Sequence, residues 1–195
     1  MRLFVAVVPP EPVLTDLATA VAELRRHPSV DERFRWSVLA QWHLTLAFLG
    51  EVDDTVRPEL ERRLARAAKR HPALRLVVEG GGGFGSARNA RVLWAGIGGD
   101  VRPLRDLARS VAAAARRTGI DVNEGRFRPH LTLARLPEST DVRPLVEVLS
   151  SYSGPPWQAH NVELVQSHLG QGEGRRSRYE TVGSWPLRAP ADGSG

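Results

Sequence analysis

The stretch HLTLAFL at residues 43–49 returns with one change as HLTLARL at residues 130–136. Successive side chains of an extended strand alternate between faces, so His43 and Thr45 project to one side while Leu44 and Leu46 project to the other. His130 and Thr132 stand in the same relation to Leu131 and Leu133. Each copy therefore presents an imidazole and a hydroxyl on one face, roughly 6.6 Å apart along the chain. The leucine face is free to anchor both in a core.

Two histidines offered in this way suit a reaction that needs one base and one acid, because imidazole has an unperturbed pKa of about 6.5, close to neutrality. Phosphodiester cleavage is such a reaction. A neutral imidazole takes a proton from an attacking water or hydroxyl, an imidazolium gives one to the departing oxygen, and threonine hydroxyls donate hydrogen bonds to the phosphoryl oxygens. A lone histidine in a strand is more often a packed, hydrogen-bonded residue than a catalyst. The repetition of the whole His-x-Thr pattern, with its flanks, is what points to a site.

A chain of 195 residues fits one domain, or two small lobes sharing a core, and is long enough to bury roughly 70 % of the surface its unfolded form exposes. The absence of cysteine excludes disulfides, thiolate metal sites and cysteine nucleophiles, and a reducing cytoplasm is the expected compartment. The opening MRLFVAVVPPEP reads as a first strand rather than a secretion signal, since prolines and acids follow a short apolar run with no small-residue cleavage site. No apolar segment approaches the roughly 20 residues of a membrane helix. Of the 27 basic residues only Lys69 is a lysine, and the net charge is +5. Arginine forks pair bidentately with phosphate, so the balance favours a polyanionic partner such as RNA without implying nonspecific coating.

Strand-like composition recurs at residues 2–8, 33–38, 43–49, 73–79, 91–97, 130–133, 157–167 and 178–182. Helical periodicity fills residues 11–26, 54–70, 101–118 and 140–150, with stripes such as Leu104, Leu107, Ala108, Val111 and Ala115. Strands arriving in pairs between helices imply an α+β fold with mostly antiparallel sheets and flanking helices rather than a doubly wound parallel sheet. A bilobal, pseudo-twofold arrangement follows, each lobe giving one His-x-Thr strand to a central cleft. Residues 1–187 are expected to form one such domain and residues 188–195 a disordered tail.

The segments HLTLAFLGEV (43–52) and FRPHLTLARL (127–136) resemble the paired motifs of the 2H phosphoesterase superfamily. Within it they are most similar to the RNA 2',3'-cyclic phosphodiesterases, also called 2'-5' RNA ligases. RLFVAVVPP, RVLWAGI at residues 91–97, and the closing VELVQSHL with Tyr179 and Trp185 extend the resemblance over nearly the whole chain. It implies hydrolysis of a terminal RNA 2',3'-cyclic phosphate to a 2'-phosphate, a reverse ligation without ATP, and no metal and no nucleotide cofactor; no other cofactor is expected, the expected partner is RNA, and the expected state is a monomer. By position, His43 protonates the leaving 3'-oxygen and His130 activates water. Thr45 and Thr132 bind phosphoryl oxygens, Arg135 clamps the phosphate, and Phe48 stacks on the terminal base.

Arg135 and Phe48 share strand parity with the leucines, so a regular strand would point them into the core. A bulge or a strand end must re-aim them if they serve the cleft, and the cost of burying an arginine favours re-aiming for Arg135. Plain core packing is an equal reading of Phe48. Trp42 and the arginine-rich GQGEGRRSRY at residues 170–179 depart from the family pattern, the latter reading as a solvated loop. GGGGFGS at residues 80–86 lacks the ending of a phosphate-binding P-loop and reads as a flexible connection between strands. His27, His71, His160 and His168 have no repeated context and read as surface or structural, with His168 near enough to the closing strand to border the cleft. Two other functions stay open at this level: an RNA-binding module without turnover, and a phosphodiesterase for small cyclic phosphates or 2'-5' linked oligonucleotides.

Overall fold

Nine strands form two antiparallel sheets in the computed structural model, which describes residues 1–122, 125–172 and 176–189. In chain order the elements are β1 (Arg2–Val7), α1 (Glu11–Leu24), β2 (Arg35–Trp36), a 3-10 turn (Leu39–Gln41), β3 (Leu44–Glu51), α2 (Arg57–Lys69), β4 (Leu74–Phe84) and β5 (Ala90–Gly99). There follow α3 (Val101–Arg116), β6 (His130–Thr140), α4 (Arg143–Ser150), β7 (Trp157–Ala159), β8 (Asn161–His168) and β9 (Arg178–Pro186). The four-stranded sheet has the order β3-β1-β8-β9 and the five-stranded sheet the order β2-β6-β5-β4-β7. The expected bilobal α+β architecture is present, with one His-x-Thr strand in each sheet.

The lobes are not sequence halves. The four-stranded sheet joins the two ends of the chain, and the five-stranded sheet takes the middle together with β2, which lies between β1 and β3 in sequence. The helices α2 and α3 pack on each other and against β9 and β3, while α4 packs against β4. The first helix reaches the second lobe, where Tyr152 donates to Asp16 at 2.7 Å and Arg25 lies over the Trp36 ring. Three helices carry proline as their second residue, at Pro12, Pro58 and Pro144, where the missing N–H has no intrahelical partner to lose. One large core results, with Leu60, Leu64, Leu104 and Leu107 fully buried, each contributing about 1.5–3 kcal/mol relative to exposure, and Phe4, Ala6 and Val165 form a small separate cluster with Tyr179 packed against it. Trp42 belongs to the large core.

The glycine run departs from expectation. Gly80 to Gly83 lie inside β4, which pairs with β5 through Phe84, and only residues 85–89 form the connection. The physical reason is the indole of Trp94 on β5: a Cβ at Gly82 would fall within that ring, and one at Gly83 would stand 2.7 Å from the Ala90 Cβ. The glycines supply room, not mobility.

At the other end, Arg188 is held by the sheet rather than released from it. Its N–H donates to the His71 carbonyl at 2.8 Å and its carbonyl accepts from Ala73 N–H at 3.0 Å. The rest of the expected tail, residues 190–195, lies outside the described residues, as do residues 173–175 of the arginine-rich segment.

Candidate active site

The re-aiming demanded by Phe48 and Arg135 is built into both strands. Along β3, Thr45 pairs with Ala6 and Ala47 with Val5, leaving Leu46 as an extra residue. Along β6, Thr132 pairs with Trp94 and Ala134 with Leu93, leaving Leu133 as the extra residue. Each bulge reverses the alternation beyond it. Ala47 and Ala134 are buried, while Arg135 is exposed and Phe48 is 67 % exposed. Both side chains therefore share the face of the threonines, and the core-packing reading of Phe48 is excluded.

His43 stands one residue before β3 and His130 opens β6. The His43 ring is held edge-on between Phe4, at 5.7 Å, and Tyr179, at 5.1 Å. The His130 ring meets Phe84 edge-on at 4.6 Å, with Trp94 at 6.3 Å. In each copy the backbone two residues earlier addresses the imidazole. His130 Nδ1 lies 2.7 Å from the Arg128 carbonyl oxygen. A carbonyl only accepts, so Nδ1 carries the hydrogen and Nε2 is left to exchange protons in the cleft. Gln41 plays the same part for His43 at looser geometry, the buried Nδ1 there making no bond of strict length and angle.

Burial lowers the pKa of both imidazoles, and the two backbone carbonyls oppose that shift. The remaining influences differ in sign. The Glu163 carboxylate raises His43, whereas the Arg135 guanidinium lowers His130 further. Glu163 approaches from β8: it pairs with Ala6, which pairs with Thr45, and it accepts a hydrogen bond from Thr181 Oγ1 at 2.7 Å. Both imidazoles are thus lowered overall, and the neighbouring charges act on them in opposite senses, Glu163 partly offsetting burial at His43 and Arg135 adding to it at His130.

Both histidines, both threonines, Arg135 and Phe48 line a single open cleft of about 1100 Å³. A second groove of about 740 Å³ shares Thr45, Phe48 and His130 with it and runs along α3 past Arg105 and Arg109. All six residues singled out by the sequence motifs meet in one place. Those motifs did not announce Glu163, Phe84, Trp94 or Arg35, which reach the cleft region from strands distant in sequence. Tyr179 and Glu163 stand in the closing pattern and Trp94 in the RVLWAGI strand, where the sequence assigns them no role. The arginine-rich segment borders the cleft through Arg176 and Ser177 rather than standing wholly in solvent. His168 is tied to Glu180 at 3.1 Å, and His71 to Ser110 at 2.7 Å, as structural histidines are. Among the described residues, no three His, Asp or Glu side chains are grouped to hold a metal ion, and no helix is long and apolar enough to cross a membrane.

Comparison with known proteins gives concordant relatives. The family model described as the 2'-5' RNA ligase superfamily matches residues 9–171. An RNA 2',3'-cyclic phosphodiesterase of Aeropyrum pernix is 34 % identical over 108 residues, covering 55 % of this chain and 60 % of the relative. Another of that name, from Aquifex aeolicus, is 32 % identical over 139 residues, covering 69 % of this chain and 73 % of the relative. The crystal structure of E. coli LigT complexed with 3'-AMP superposes with a TM-score of 0.75 at 27 % identity, covering 95 % of this chain and 97 % of that one.

Proposed function

The chain belongs to the 2'-5' RNA ligase superfamily, and from that premise and the cleft we propose that it hydrolyses the terminal 2',3'-cyclic phosphate of RNA to a 2'-phosphate. The observation that carries the reading is the meeting of two equivalent histidines, their two threonines and Arg135 in one cleft; burial lowers both imidazoles, with Glu163 opposing that shift at His43 and Arg135 adding to it at His130. The difference in neighbouring charge supports His43 as general acid and His130 as general base. The relatives named RNA 2',3'-cyclic phosphodiesterase support the activity.

In the proposed reaction, water lies on the His130 side of the phosphate and the 3'-oxygen on the His43 side. His130 Nε2 takes a proton as the water oxygen bonds to phosphorus. The bond from phosphorus to the 3'-oxygen breaks, and His43 gives that oxygen its proton, leaving phosphate on the 2'-oxygen. Thr45 and Thr132 donate to the phosphoryl oxygens whose charge grows, and the Arg135 fork spans two of them. Phe48 offers its exposed ring to the terminal base. With a 5'-hydroxyl in place of water, the same two proton transfers yield a 2'-5' linkage and need no ATP. Every step falls to a side chain of this protein, so neither metal nor nucleotide cofactor enters.

The test is direct. RNA ending in a 2',3'-cyclic phosphate, incubated with the protein in chelator, should yield a 2'-phosphate end. A 3'-phosphate product would reverse the roles assigned to the leaving oxygens. Activity lost in chelator and restored by one divalent cation would overturn the two-histidine mechanism.

A further inference from the structure

Arg35 and Arg135 stand directly opposite each other in the ladder between β2 and β6. Residues paired in this way share a face of the sheet, with Cβ atoms about 4.5–5.5 Å apart, and like charges so placed repel. Their neighbours, Trp36 and Ala134, form the next pair and are buried, which turns both arginines to the cleft side. Both are exposed and line the cleft. Nearby Arg33 has its charge answered by Asp31 and by Glu138 at 2.8 Å. Arg35 and Arg135 make no hydrogen bond or ion pair of that kind among the described residues.

The strand that brings Arg35 there is peculiar to one lobe. Beyond β6 the five-stranded sheet adds β2, whereas β3, the equivalent of β6, is the edge of its sheet. Only two residues long, β2 is nevertheless fixed: Trp36 is buried with Phe34 in the core, and Ser37 N–H donates to the Leu133 carbonyl at 2.8 Å. An exposed arginine is thus held on an anchored backbone beside a second arginine, at a cost in repulsion that bound anion would remove.

We propose that Arg35 and Arg135 form a two-phosphate clamp in which Arg35 binds the internucleotide phosphate next to the reacting one, so that the cleft selects an RNA end over a single nucleotide. This rests on the function proposed above, and it deepens it by defining the substrate. A terminal nucleotide whose 2'- and 3'-oxygens are closed into the cyclic phosphate continues into RNA only through its 5'-oxygen. The second anion near Arg135 is therefore the phosphodiester on that 5' side, and a cyclic mononucleotide lacks it. An arginine fork suits this contact because it holds two phosphoryl oxygens at once.

The experiment compares a cyclic mononucleotide with a short oligoribonucleotide carrying the same terminal cyclic phosphate, in the parent protein and in Arg35→Ala and Arg35→Glu. The ratio of kcat/KM for oligomer over mononucleotide should fall about tenfold in Arg35→Ala and further in Arg35→Glu. Binding is measured in parallel, without turnover, using an oligoribonucleotide with a 3'-phosphate against a nucleoside 3'-monophosphate. The parent should prefer the oligomer, and Arg35→Ala should lose that preference while the salt dependence of oligomer binding drops by about one ion. If neither cyclic substrate is turned over by the parent, the hydrolase reading fails, yet the binding arm still decides the clamp. A parent with no preference for the oligomer, or equal losses on both ligands, overturns it.

Discussion

Phe48 and Arg135 occupy the same place in two copies of one strand pattern, each lying beyond a single extra leucine that turns it from the core to the cleft. The backbone is repeated but the chemistry is not: one rim of the cleft ends in an exposed aromatic ring and the other in a guanidinium. A pseudo-twofold frame so becomes a directional site, with an aromatic ring on one side and a positive charge on the other.

For Arg135 the expected consequence is intolerance of a point charge. Arg135→Ala should lower kcat/KM by roughly 10²-fold, the scale for removing one donor to transition-state charge, and Arg135→Lys should restore only part of it. Steady-state kinetics on RNA with a terminal cyclic phosphate reads both. An alanine variant with unchanged kinetics would remove Arg135 from the phosphate.

Phe48 separates stacking from packing. Because its ring is 67 % exposed, Phe48→Ala should change unfolding free energy by no more than about 0.5 kcal/mol. Binding of an RNA end should nevertheless weaken by about 1–3 kcal/mol, the worth of one base–aromatic stack. Denaturant titration and RNA binding on the same variant give the two numbers, and a stability loss without a binding loss would reverse the assignment.

His43→Ala and His130→Ala should each reduce turnover by roughly 10²- to 10⁴-fold. The double variant should fall far less than the product of the two, since acid and base act in a single step. Near-normal turnover by either folded single variant would remove that histidine from the mechanism.

Gly82 tests the support behind His130. A Cβ there would meet the Trp94 indole, and Trp94 packs beside His130. Gly82→Ala should destabilise the fold by about 1–3 kcal/mol through overpacking and should lower kcat more than it changes KM. Thermal unfolding and kinetics together check this, and an alanine variant of unchanged stability and rate would return the run to the flexible linker that its composition suggests.

How far the sequence was legible follows from where each signal lies. His43, Thr45, His130 and Thr132 declare themselves by a two-residue period, which survives because each pair precedes its bulge. The parity conflict at Phe48 and Arg135 required a bulge, but local sequence could not choose the extra residue, since the choice is made by pairing with β1 and β5. The glycine run was misread because its reason is a tryptophan on the neighbouring strand. Nothing local to Glu163 or Arg35 shows its place: Glu163 acts on His43 from β8 across β1, and Arg35 reaches the cleft beside β6. Signals confined to one strand were readable, and those created by strand pairing were not.

The pH dependence follows from the pair Glu163 and His43. The rate should be bell-shaped, because His130 must be neutral while His43 is protonated in the same turnover. The ionisation of the base sets the acid limb and that of the acid sets the alkaline limb, both as macroscopic values of a coupled pair. Burial lowers both histidines, so the bell should sit to the acid side of one made by free imidazoles near pH 6.5. Glu163 raises His43, so Glu163→Gln should lower it and draw the alkaline limb to lower pH while the acid limb holds. Arg135 lowers His130, so Arg135→Gln should raise it and move the acid limb to higher pH, narrowing the bell from the other side. Single-turnover rates between about pH 4 and 9, a span set around the free imidazole value, keep product release from masking either limb. If Glu163→Gln moves the acid limb instead, His43 is the base and the two roles are exchanged; if neither limb moves, Glu163 does not govern the proton on His43.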